Sequence, residues 1–171
     1  SEDSELYAVD VTDGAEQWRF ETRGAVYSSP TVAGGNAYVG SKDPNLYAVN
    51  ITDGTEQWRF NTGGRVYSSP TVANGTVYLG GGDSNLYAVD TTTGTKRWQY
   101  NTGDRVFSSP TVVNGIVYIG SYDGKLYAVA AANSNGVSSE GSRVLLGTLG
   151  HTDQFNSDSP AADVTFTSTP T

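Results

Sequence analysis

The chain has 171 residues, 18 acidic against 10 basic, for a net charge of −8 and a pI near 4.4. Nucleic acid and anionic membrane surfaces are held mainly by Lys and Arg, so this balance argues against both as partners. There is no cysteine, which removes disulfides, Cys-ligated zinc, iron–sulfur clusters and thiol chemistry together.

From its first residues the chain repeats itself. It opens SEDSELYAVD, without Met or an apolar leader core. No apolar run approaches the ~20 residues of a membrane-spanning helix, so membrane insertion is not expected. LYAVD at Leu6 returns as LYAVN at Leu46, LYAVD at Leu86 and LYAVA at Leu126, always 40 residues on. VYSSPTV at Val26 returns at Val66 and, as VFSSPTV, at Val106. EQWRF at Glu16 returns at Glu56 and, as KRWQY, at Lys96.

Taken in order, the pattern predicts strands at Leu6 to Val11 and Glu16 to Thr22, joined at Asp13-Gly14. The second copy shows the full unit. Asn45 to Ile51 alternates Leu46 and Ala48 on one face with Tyr47 and Val49 on the other. After the Asp53-Gly54 turn comes Glu56 to Thr62, with Trp58 and Phe60 on one face. Val66 to Ala73 follows with Pro70 inside it, then the Asn74-Gly75 hairpin and Val77 to Gly81. No stretch sustains a helical period, so the expected fold is all-β. Four short antiparallel strands per 40-residue repeat make a β-propeller blade.

WD40 repeats have similar length, but their Gly-His and Trp-Asp signatures are absent. AVDVTDGAEQW, AVNITDGTEQW and AVDTTTGTKRW instead fit Ala-x-Asp-x-x-Thr-Gly-x-x-x-Trp. That resembles the tryptophan-docking motif of PQQ-repeat, quinoprotein-like propellers. Asn50 stands for the Asp in one copy, and Asp13 and Asp53 for the Thr in two. The resemblance implies that Trp18, Trp58 and Trp98 each pack over a Gly turn of a neighbouring motif, the turns being those of Gly14, Gly54 and Gly94. It also implies that the SSPTV strand is innermost, lining a central channel.

By that reading the chain enters mid-blade, runs through two whole blades, and starts another at Val106. The motif then fails. Ala130 replaces the Asp and no Trp follows. Residues 133–141 read as loop, and Val144 to Leu149 as a degenerate outer strand. The propeller is assigned to 1–149, as an incomplete ring of about three and a half blades where typically four to eight close one. Residues 150–171 are a Ser/Thr/Asp/Pro-rich tail, whose end faintly resembles the opening strand of a PKD-type or other immunoglobulin-like domain. Two open ends predict self-association to complete a ring.

Quinoprotein dehydrogenases share the repeat, and the resemblance implies for them a quinone and calcium in a complete ring, beside a vicinal disulfide. With no cysteine, and its tryptophans used in docking, this chain is expected to bind neither PQQ nor calcium and to have no catalytic residues. His151, the single histidine, lies in the tail without a partner at motif spacing. Asp43, Asp83 and Asp123 recur in SKDPN, GGDSN and SYDGK and are expected to close Asx turns rather than bind metal. Asn50-Ile51-Thr52 and Asn74-Gly75-Thr76 are glycosylation sequons. The loop entering the inner strand varies: TRGAVYSS, TGGRVYSS, TGDRVFSS. Arg23, Arg65 and Arg105 with Ser28, Ser68 and Ser108 are therefore the candidate channel-mouth site for a protein or anionic ligand. The expected function is a non-catalytic scaffold or binding module of a cell-surface or secreted protein. The alternative is a fragment of a quinone-dependent dehydrogenase. Asp in excess of Glu and only three lysines also resemble proteins of halophilic archaea.

Overall fold

Alternating apolar residues, rich in β-branched and aromatic side chains and cut every few positions by Asp-Gly or Asn-Gly, build short antiparallel strands. The computed structural model describes residues 1–131 and the backbone of 144–147, and each regular element there is a strand. β1 (Glu5–Val9) pairs with β2 (Glu16–Glu21) in a two-stranded sheet. β3 (Thr31–Ala33), β4 (Asn36–Gly40), β5 (Asn45–Asn50) and β6 (Glu56–Asn61) form a four-stranded sheet in sequential order. The same order is kept by β7 (Thr71–Ala73), β8 (Thr76–Gly80), β9 (Asn85–Asp90) and β10 (Lys96–Asn101). It is kept again by β11 (Thr111–Val113), β12 (Ile116–Gly120), β13 (Leu126–Ala130) and β14 (Val144–Gly147). All pairings are antiparallel. The result is a half-blade and three blades in an unclosed ring.

The two faces of β5 go to different neighbours. Leu46 and Ala48 join Val66, Val77, Leu79, Tyr87 and Val89 of the following blade. Tyr47 and Val49 join Leu6 and Val26 on the other side, against Trp18 and Phe20. A single blade could bury only one face, so each owes its core to the sheets beside it.

One expectation is corrected. The inner strand is Thr71–Ala73 rather than Val66 to Ala73. Pro70 has no N–H to donate, and the Gly80 N–H that would continue the ladder is taken by Ser68 Oγ at 3.0 Å. Strand β14 falls within the outer strand expected over Val144 to Leu149, residues 148–149 lying outside the described residues, and it pairs Leu145 with Ala128. This is the register at which Trp58 meets Ala48 and Trp98 meets Ala88, so leucine stands in the tryptophan position. The tail from 150 lies outside the described residues.

Candidate functional site

The inner edges of the blades are tied by a ladder that also repeats at 40. Ser29 N–H donates to Ser69 Oγ at 2.8 Å, and Ser69 N–H to Ser109 Oγ at 3.0 Å. Thr31 Oγ1 donates to the Pro70 carbonyl at 2.5 Å, and Thr71 Oγ1 to that of Pro110 at 2.6 Å. At one end of this edge, two sets of loops meet. Lys42 N–H donates to Ala25 O, Gly82 N–H to Arg65 O and Tyr122 N–H to Arg105 O, each within 3.0 Å. The loop entering each inner strand therefore lies on the aspartate loop of the same blade.

The predicted serines are divided by the structure. Ser28 and Ser68 are buried and bonded to Gly40 and Gly80 of their own blades, which removes them from the mouth surface. Ser108 is exposed, but its hydroxyl also bridges to Gly120, at 2.8–2.9 Å. Arg65 and Arg105 occupy equivalent exposed positions. Arg23 does not: it stands where the other copies have Gly63 and Gly103, and Ala25 fills the place of the arginine. Among the described residues, Arg23, Arg65 and Arg105 make no salt bridge, whereas Arg19, Arg59, Arg97 and Lys125 do.

The aspartates behave differently from simple turn closers. Asp123 makes the Asx contact, Oδ1 accepting from Lys125 N–H at 3.1 Å, as Asp3 does from Glu5 N–H at 3.1 Å. Asp43 Oδ2 instead accepts from Tyr47 OH at 2.5 Å and from the Asn45 amide at 3.0 Å. Asp83 accepts from Tyr87, Asp123 from Tyr127, and Asp3 from Tyr7. The signal was in the chain as Asp and Tyr four residues apart, four times over. Burial, and then the Asp43 carboxylate, push the Tyr47 phenol up to about 12. Desolvation works to raise Asp43, but the hydrogen bonds from Tyr47, Ser41 and Asn45 outweigh it and hold the carboxyl below its usual range. No three His, Asp or Glu side chains converge as a metal cluster among the described residues. His151 lies outside them.

Sequence reasoning missed one feature of this face. Tyr27, Tyr67, Phe107 and Tyr122 form a continuous row, with ring centroids 5.5, 4.7 and 5.1 Å apart. Three of them follow the 40-residue period, and the fourth comes from an aspartate loop. Gly82 lets the aspartate loop close on the entering loop: a Cβ there would lie 3.0 Å from the Arg65 carbonyl oxygen. The row reaches solvent at both ends, Tyr27 being 49% and Tyr122 67% exposed.

On the opposite side of the blades, Asn50 ends β5 with its Oδ1 accepting from Thr52 N–H at 2.7 Å. Asn74 is exposed at a hairpin tip with φ 49°.

A family model described as PQQ_2, outer membrane protein assembly factor BamB, matches residues 2–149. No curated protein sequence matches the chain. Among solved structures it is similar to BamB from Moraxella catarrhalis, with a TM-score of 0.70 and 24% identity over 77% of this chain and 45% of that one. It is also similar to the quinohemoprotein alcohol dehydrogenase ADHIIG from Pseudomonas putida HK5, with a TM-score of 0.57 and 28% identity over 61% of this chain and 19% of that one. The computationally designed Ika4 protein matches with a TM-score of 0.70 and 16% identity, over 77% of this chain and 82% of its own. The chain thus spans less than half the length of the two natural relatives.

Proposed function

This chain belongs to the PQQ-repeat β-propeller family, and from that premise we propose that it is a non-catalytic binding module that presents one face of its blades to a protein partner. The observation that carries this reading is the row of four aromatic rings on the loop face, open at both ends, with exposed Arg65 and Arg105 two residues before Tyr67 and Phe107 in the chain. Contiguous aromatic surface that reaches solvent, with arginine that makes no salt bridge among the described residues, is the composition of protein-contact surfaces. A place at the cell surface or outside the cell, and a high-salt source, belong to the same reading. The first is supported by the family's description as an outer membrane assembly factor, the second by the acidic balance.

The rival reading is a piece of a quinone-dependent dehydrogenase, favoured by the likeness to the alcohol dehydrogenase. Against it, the chain has no cysteine for a vicinal disulfide. The indole N–H groups of Trp18 and Trp58 are used on Ile51 O and Thr91 O. The inner-edge hydroxyls of Thr31 and Thr71 donate to the next blade rather than into the channel. These residues do not suit a quinone with calcium. The deciding experiment is dye reduction with alcohols or sugars after mixing the protein with quinone and calcium. No reduction is expected, and quinone-dependent turnover would replace the binding-module reading with the enzyme.

A further inference from the structure

We propose that the row Tyr27–Tyr67–Phe107–Tyr122 is a docking strip for an extended acidic segment of a partner protein, with Arg65 and Arg105 meeting its carboxylates; this rests on the binding-module reading. Burial alternates along the strip-bearing loops. Arg65 is exposed, Val66 fully buried, Tyr67 half-buried and Ser68 buried. Arg105, Val106 and Phe107 run the same way. Arginine and ring are thus the accessible residues on either side of a buried valine in both loops.

The rings favour an extended chain over a compact ligand. Tyr67–Phe107 and Phe107–Tyr122 meet edge to face, at 72° and 71°, so the row offers clefts between ring edges rather than one flat plate. Apolar or proline side chains of a peptide fit such clefts. The strip has no closed end, so a chain can run through it. Three steps of about 5 Å are covered by about five residues of extended chain.

Charge selects among peptides. Arg19, Arg59, Arg97 and Lys125 are spoken for by carboxylates, while Arg65 and Arg105 make no such pair among the described residues. The nearby acidic groups stand elsewhere in the strip's surroundings. Glu2 faces the Tyr27 hydroxyl at 3.3 Å, Asp104 Oδ1 accepts from the Arg105 N–H, and Asp83 and Asp123 are engaged by Tyr87 and Tyr127. Two guanidiniums that make no salt bridge among the described residues, on the loops that carry the rings, are complementary to an acidic, apolar segment.

The test is selection of random dodecapeptides displayed on phage against the 171-residue protein, followed by titration of the selected peptides. Enrichment of Asp and Glu together with Phe, Leu or Pro is expected. Arg65→Gln and Arg105→Gln should each weaken binding about tenfold, and added salt should weaken it further. Tyr27→Ala and Tyr122→Ala alter exposed rings, so they should lower affinity while leaving the melting temperature unchanged. Basic selected peptides, no enrichment at all, or peptides held equally by the Tyr27→Ala/Tyr122→Ala protein would overturn the strip. Peptides bound at another surface would leave the binding-module reading standing, whereas quinone-dependent dye reduction would remove that reading itself.

Discussion

The indole Nε1 of Trp58 donates to the carbonyl oxygen of Thr91 in the next blade, at 3.0 Å. The ring lies so close over the turn that a Cβ on Gly94, at φ 68°, would come within 2.7 Å of it. Trp18 repeats the arrangement on Ile51 and Gly54. Each indole thus joins two sheets whose strands are not hydrogen-bonded to each other at the outer edge.

Trp58→Ala should therefore destabilise the protein by about 3 kcal/mol, the lower end for a large aromatic because the ring is only half-buried. Gly94→Ala should also destabilise it, since the added carbon meets the indole and favours a negative φ. Denaturant midpoints measure both. Trp98, which packs on Tyr78 at 5.8 Å, should tolerate truncation better because its indole makes no such bond among the described residues. Equal losses for Trp58 and Trp98 would show that the hydrogen bond and the glycine seat contribute little.

Alkali should unfold the protein through its buried phenols. Burial and the Asp43 carboxylate raise Tyr47 to about 12 in the fold, against an ordinary value of 10.0. A raised acid stabilises the fold fully below its unfolded value, and that stability is lost as pH climbs from about 10 to about 12. Tyr87 and Tyr127 are shifted the same way, by burial first and then by Asp83 and Asp123. Absorbance titration of tyrosinate should show these phenols ionising together with unfolding, and Tyr47→Phe should flatten the dependence.

Acid should act through Asp90. The Arg97 guanidinium, then the N–H groups of Thr93 and Thr92, hold this carboxyl down to about 2. A lowered acid stabilises the fold above its ordinary 3.8, and the contribution disappears as pH falls from there towards 2. The pair is largely solvated, so Asp90→Asn should cost no more than about 1 kcal/mol at neutral pH. A thermal melt series between pH 2 and 5 should show a smaller acid loss in the variant than in the parent.

The half-blade leaves apolar surface open, with Tyr7, Val9 and Val11 exposed and Val11 98% so. The corresponding turn glycine, Gly14, has no neighbour among the described residues where Gly54 and Gly94 carry an indole. The 171-residue polypeptide by itself should self-associate through this surface, in proportion to concentration. Light scattering should report species above 18.0 kDa, and Val9→Lys should shift them towards monomer. A monomer at micromolar concentration would contradict this.

Much of the fold was legible because it repeats. The 40-residue spacing of Leu46 and Leu86, or Trp18 and Trp58, identifies the blade, and the alternation along Leu46–Val49 assigns each face to a neighbour. The candidate site was less legible. The serine of VYSSPTV reads as a surface hydroxyl, yet Ser68 is wholly buried, because the inner strand begins only at Thr71 and the Gly80 N–H beyond it is satisfied by the Ser68 side chain. The run of arginines reads as a ring, but Arg23 is out of register with Arg65 and Arg105 by two residues.

The sequence by itself determined the blade, its strand order and the residues that fill the spaces between blades, because these follow from local alternation and from a motif spaced evenly along the chain. Only the tertiary structure decided that Tyr27, Tyr67, Phe107 and Tyr122 stand in one row and that Ser28 and Ser68 beside them are buried. Those relations join residues from separate blades. The distance between them is set by how closely two sheets can approach, through contacts such as Val66 against Gly40, and no spacing along a single chain records that distance.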